Sequence, residues 1–328
     1  MQLCEAGVRR SLSAATILQI ASLMAASLGH YLDTLCCNTT SDYGAFLEVA
    51  NDAAAAAAAG ISTGHAKLQF ASLCCSTLKA AAAASVIPGA DIHYADSACL
   101  QVTSSLLSLL QSRSSASRGE FVAASDVPWL AISGRVLQYV AGRRLGAAAA
   151  ASAVQCGQVS VPRAVHPRSA AVFQELQMMC VHLCNSLDRV LSRHPVSQQL
   201  SAAGYDAVSL QQQLAAFLQS LPGPREFVSL SVQQAVALQA VGLALTNVAF
   251  PCACNNPSCS ELAGPLELQL VNRRSCMCAD CRVVRYCSRD CQRRHWKQHK
   301  PVCHAIAARQ AGAASATAAQ SVAAKPRA

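Results

Sequence analysis

Residues 278–303 read CADCRVVRYCSRDCQRRHWKQHKPVC, and this stretch decides the architecture of the C-terminal part of the chain. Cys278 and Cys281 bracket two residues, while Cys287 and Cys291 stand four apart, as do His299 and Cys303. Upstream, Cys254 and Cys259 bracket Asn-Asn-Pro-Ser, which completes four pairs and eight candidate ligands. Zinc takes four thiolate or imidazole ligands in a tetrahedron, and closely spaced pairs chelate it from a single turn. The count therefore predicts two closed sites and two structural zinc ions. A site with four protein ligands leaves no position for water or substrate, so the metal's role is to hold a domain with too little core to fold alone. The four-residue spacing puts Cys287 with Cys291, and His299 with Cys303, on one face of a helix. The Cys278–Cys281 spacing suits a tight knuckle. Three residues compete for these roles. Cys252 can replace Cys254, and Cys276 stands near Cys278, although only Cys278 makes the knuckle with Cys281. His295 follows Cys291 by one turn, but only His299 has the right spacing to Cys303, so His295 and His304 read as surface histidines.

The residues between the ligands match a known pattern too. The order Tyr-Cys-Ser, Cys-Gln, Trp, His-Lys and Cys over residues 286–303 resembles the second half of a MYND-type zinc finger. The resemblance covers only about 50 of the 328 residues. It implies a cross-braced pair of zinc ions, with Cys254, Cys259, Cys287 and Cys291 on the first and Cys278, Cys281, His299 and Cys303 on the second. The sequence departs from the family in its first pair, which has four intervening residues where two are usual, and in a long loop from Cys259 to Cys278. The resemblance further implies a groove for a short, proline-containing peptide that includes Gln292 and Trp296. These two lie one step round the helix from Cys291 and can face outward. Trp296 can equally pack the miniature core, and the two roles are compatible.

Nine Arg and Lys oppose two Asp between residues 273 and 303, a formal +7. Two zinc ions with seven thiolates subtract three and leave about +4. A nucleic-acid-associated or transcription-regulatory zinc protein is therefore the alternative reading, but no base-reading helix with interleaved aromatics accompanies the charge. A SET-type lysine methyltransferase would need an Asn-His-Ser-type motif. A RING-type ubiquitin ligase would show a Cys-x-His pair. Neither is present, nor is a phosphate loop, a nucleophile elbow or His-Glu-x-x-His. The expectation is a protein or peptide ligand, no small-molecule substrate and no catalytic residue.

Composition frames the remainder. The chain is 52% hydrophobic, 5% aromatic and 13% charged, and much of its apolar content is alanine. That balance favours helix over sheet. Nine of the eighteen cysteines crowd into 252–303, which points to metal binding in a reducing compartment. The others are scattered through apolar stretches as core thiols, including Cys180 and Cys184 beside His182. Near the N-terminus, Arg9 and Arg10 precede an uncharged run from Leu12 to Leu28. Ile17, Ile20, Met24, Leu28 and Tyr31 recur in steps of three and four, the stripe of an amphipathic helix, with a signal anchor or transit segment as alternatives. The expected location is intracellular, in nucleus or cytoplasm, with no membrane span.

Helical patterning continues near 42–59, 66–87, 96–112, 128–153, 168–193, 205–220 and 231–249, separated by turn-forming clusters. In the segment 168–193, Phe173, Leu176, Cys180, Leu183, Leu187 and Leu191 mark one face, and His194-Pro195 ends it. The alanine runs 53–59 and 145–151 propagate helix but offer little to pack. The fold class is mainly α: an irregular bundle or solenoid-like region over 1–250, the two-zinc finger over 251–304, and a low-complexity tail over 305–328 that is disordered or frayed helix.

Overall fold

The apolar stretch around Trp129 becomes the centre of a helical body. The computed structural model describes much of residues 71–107, and residues 127–155, 167–192, 200–201, 206–222, 229–248, 250, 252–262, 267–274 and 276–323. The helices expected at 12–31 and 42–59, with the first alanine run, lie outside the described residues. The body is built from α1 (Val127–Gln155), α2 (Pro167–Leu191), α3 (Ala207–Gln219) and α4 (Val232–Thr246). Helical residues within 71–82 and 95–107 join the same core. The chain is thus mainly α. Among the described residues no helix is long and apolar enough to cross a membrane.

From Leu130 to Val140 helix α1 is buried on nearly every side, as expected for a helix whose apolar residues run all the way round. Its second half, with the alanine run, extends to the surface. α1 crosses α4 where two glycines meet. A Cβ on Gly134 would stand 2.6 Å from the Gly242 carbonyl oxygen, and one on Gly242 would stand 2.8 Å from that of Gly134. The two backbones touch because neither residue has a side chain.

Polar residues fix the ends and crossings. Asp206 caps α3 by accepting from the Ser209 amide (2.9 Å), and Ser231 with Gln234 forms a capping box on α4. Asp96, fully buried, accepts from the Tyr139 hydroxyl (2.7 Å) and from both Nε (3.1 Å) and a terminal nitrogen (3.0 Å) of Arg143. α2 buries the stripe read from its sequence. Cys180 and Cys184 lie inside it, with burial raising both thiol pKa values, and His182 faces solvent. These thiols are core residues.

Candidate metal centre

Beyond α4 the chain builds a small second core from Cys254 to Ile306. Two short strands, β1 (Cys276–Met277) and β2 (Arg285–Tyr286), pair antiparallel, with Cys276 opposite Tyr286 and Met277 opposite Arg285. The turn between them is the expected knuckle. The Cys278 amide donates to the Val284 carbonyl and the Arg282 amide to the Cys278 carbonyl, both at 3.0 Å, with Arg282 in the left-handed region at φ 52°. The long loop after the first cysteine pair contains a helix, α5 (Glu267–Arg274), which the sequence reading missed. Its signal was present: Glu267, Leu270 and Val271 recur at helical spacing and are all buried.

The last helix, α6 (Arg289–Ala323), begins at Ser288, whose hydroxyl accepts from the Cys291 amide (3.2 Å). Cys287 therefore precedes the helix rather than sharing a face of it with Cys291, which corrects the helical reading of that pair. The serine cap starts the helix one residue after Cys287, so the pair straddles the positive end of the helix dipole, which favours thiolates. His299 and Cys303 do both lie on α6. The helix continues past Cys303, burying Ile306 against the finger and donating from Gln310 Nε2 to the Cys281 carbonyl (2.9 Å).

Two groups of four ligand atoms gather in this core. One holds Cys254, Cys259, Cys287 and Cys291; the other holds Cys278, Cys281, His299 and Cys303. Within each group the atoms lie no more than 4.8 Å from one another, and all eight residues are buried. The chain order interleaves the groups, which is a cross-brace. Their spacing suits zinc: Zn–S bonds of about 2.3 Å in a tetrahedron place sulfurs about 3.8 Å apart. The observed Sγ–Sγ separations are 3.6 Å for Cys259–Cys287, 3.5 Å for Cys287–Cys291 and 3.6 Å for Cys278–Cys303. Cys281 Sγ stands 3.6 Å from His299 Nε2, where the mixed pair would sit. Burial lowers the His299 pKa, with Asp280 opposing, and so favours the neutral imidazole that metals bind. A second observation points the same way. The buried amide nitrogen of Asn256 has no hydrogen-bond partner, yet Asn256 stands beside Cys291. Cys254, against the cost of burial, holds the Cys291 thiol pKa below its ordinary value, and a metal-bound thiolate there would accept the orphaned N–H. The two clusters accommodate two zinc ions.

The competing residues take other places. Cys252, 1% exposed, packs in the helical core instead of the finger. Cys276 is half-buried and its thiol donates to Gln292 Oε1 (2.9 Å). Trp296 is half-buried and sets its ring edge-on to His299, with centroids 6.0 Å apart. His304 is exposed. His295 is not the surface histidine expected, being only 2% exposed. Its Nδ1 shares a 3.0 Å hydrogen bond with the Tyr286 hydroxyl, its Nε2 faces Asn247 Oδ1 at 3.4 Å, and its ring stacks on His299. Burial, chiefly, pushes its pKa down to about 4. The reason is tertiary: the end of α4 covers this face of α6, which the finger's own sequence does not reveal.

The finger is docked on the helical body through buried polar contacts. The Cys254 amide donates to Glu267 Oε1 (2.7 Å), and Lys79 donates to Glu267 Oε2 (2.9 Å) and to the Glu261 carbonyl (2.6 Å). Arg135 donates to the Cys254 carbonyl (2.5 Å). At the start of α5 the Glu267 and Leu268 amides donate to the hydroxyls of Ser76 and Ser72. Asn255 closes the junction by bonding Phe250 and Arg285.

Residues 253–303 match the family model of the MYND finger. No curated protein and no solved structure matches the chain. A MYND finger is a non-catalytic, zinc-binding module that typically mediates protein interaction.

Proposed function

With a MYND finger at residues 253–303, we propose that this protein recruits a partner by binding a short, proline-containing peptide along the open edge of β1. The observation that carries this reading is the free edge itself. β2 is covered on its far side by Asn255, whose amide donates to the Arg285 carbonyl (3.0 Å), while β1 has no neighbour beyond it among the described residues. Cys276 and Cys278 turn their backbone groups inward to β2, so Met277 turns its N–H and carbonyl outward, with a side chain 44% exposed. An added extended peptide would pair there. Gln292 borders that edge through its contact with Cys276. The thiol occupies the amide oxygen, leaving the –NH2 to donate to a peptide carbonyl. Trp296, four residues on, offers an aromatic surface on which proline packs. The eight Cys and His residues named above act as ligands to two structural zinc ions, and the domain over 251–304 presents the groove.

The test is a titration of the full-length, zinc-loaded chain with labelled proline-containing peptides of varied flanking sequence, read by fluorescence anisotropy over a salt series. Saturable binding that Gln292→Ala weakens by about 1–2 kcal/mol, one lost hydrogen bond at a groove edge, would support the reading. Binding of oligonucleotides with a steep salt slope and no binding of peptides would replace it with the nucleic-acid alternative.

A further inference from the structure

Buried cations are rare unless paired, and the helical body places two of them against the first ligand cluster. Lys79 is 5% exposed and Arg135 is 8% exposed, each in a helical stretch that carries no other charge nearby. Lys79 pairs with Glu267. Among the described residues Arg135 makes no ion pair, and its one direct hydrogen-bond partner is the backbone carbonyl of Cys254. The charges facing the Arg135 guanidinium belong to Cys75, Glu267, Cys254 and Cys259. Among the described residues two buried cations and one buried carboxylate meet here, an excess of one positive charge before the cysteines are counted. A guanidinium buried without a counter-charge is strongly unfavourable. Four thiolates around one Zn2+ carry a net charge of −2, and they lie beside it.

We infer that Lys79 and Arg135, from the helical body, are the outer-shell counter-charges of the Cys254–Cys259–Cys287–Cys291 zinc site, so that loading of this site and docking of the finger on the body are one coupled equilibrium. The inference rests on the zinc reading of the finger. Zn2+ holds all four cysteines as thiolates at once, whatever their protonation without it. With metal the site becomes anionic and the cations are balanced. Glu267 then has two opposed effects: it orients Cys254 through the amide hydrogen bond, and its charge works against the thiolates. By reciprocity, whatever tightens the docking tightens zinc binding at this site by the same factor. The second site, with three thiolates and a histidine, has neither cation within bonding distance and stays outside the coupling.

The experiment measures zinc affinity site by site in the full-length chain. Chelator competition and native mass spectrometry give the affinities, and His299→Ala and Cys259→Ser identify which release step belongs to which site. Lys79→Met is expected to loosen the first zinc by roughly 10- to 100-fold, the range for loss of an outer-shell partner, and to leave the second unchanged. Lys79→Arg should restore it. Glu267→Gln keeps an acceptor for the Cys254 amide but removes the charge, and is expected to tighten the first zinc several-fold. Mere disruption of packing would loosen zinc in both variants, so loosening by Glu267→Gln would overturn the inference. A further measurement needs no variant: hydrogen exchange of wild-type α1 around Arg135 should rise when chelator removes the first zinc. Exchange that stays unchanged overturns the coupling. A wild-type chain carrying fewer than two zinc ions would overturn the zinc reading itself. Two ions with the wrong pattern of signs would overturn the coupling alone.

Discussion

Two glycines of one helix should respond with opposite signs to the same substitution. Gly142 and Gly134 both lie in α1. A Cβ on Gly142 meets nothing within 4 Å. Ala at that position gains helix propensity and reduces the freedom of the unfolded chain, so Gly142→Ala should stabilise the protein by about 0.5–1 kcal/mol. Gly134→Ala makes the same local gain but drives a methyl into α4. The atoms it meets are Gly242 O at 2.6 Å, Leu245 Cβ at 2.8 Å and the Thr246 amide nitrogen at 2.9 Å. Two are backbone, and the third is the first carbon of a side chain, so no rotamer change relieves the overlap. The helices must part, at the upper end of the roughly 1–3 kcal/mol seen for overpacking. Against a gain of about 1 kcal/mol, a net loss of about 2 kcal/mol remains, and the variants should differ by about 3 kcal/mol. Urea unfolding followed by far-UV circular dichroism, with zinc in excess, gives the comparison, provided the slope of the transition is unchanged. A Gly134→Ala protein as stable as Gly142→Ala would refute the close crossing of α1 and α4.

Other outcomes follow from the same packing. Asp96→Asn removes the charge facing Arg143 and should cost about 3 kcal/mol in the same assay, because Arg143 is left largely buried beside a neutral amide; a loss under about 1 kcal/mol would mean the pair is solvent-screened. His295→Phe leaves the Tyr286 hydroxyl without its partner and should cost about 1–3 kcal/mol, whereas an unchanged midpoint would restore the surface reading of His295. Alkylation of the folded, zinc-loaded chain, read by mass spectrometry, should modify Cys276 ahead of Cys74, Cys75, Cys99, Cys180 and Cys184. Those five thiols are buried, and burial raises their pKa values, that of Cys75 to about 12. Modification of the buried five without unfolding would refute the core as described.

The metal centre was more legible in the sequence than the helical body because its information is local. Chelation by Cys278 and Cys281 or by His299 and Cys303 depends on spacings of a few residues, and spacing is what a sequence displays. α2 was legible for the same reason: its one buried stripe repeats at the helical period, and a proline closes it. α1 shows where that logic stops. Its half nearest Trp129 is buried all round, so no stripe distinguishes the face that meets α4. The close crossing depends on Gly134 and Gly242, more than a hundred residues apart. His295 was misread because the group that buries it, the end of α4, lies outside the finger, and Lys79 and Arg135 were passed over because their counter-charge lies outside the helical body, on the finger. A single charged residue within an apolar helical run is a usable signal, since burying it requires a partner elsewhere in the chain. The sequence shows that a partner must exist. Only the fold shows that for Arg135 the partner lies at Cys254, on the finger whose zinc would supply the missing charge.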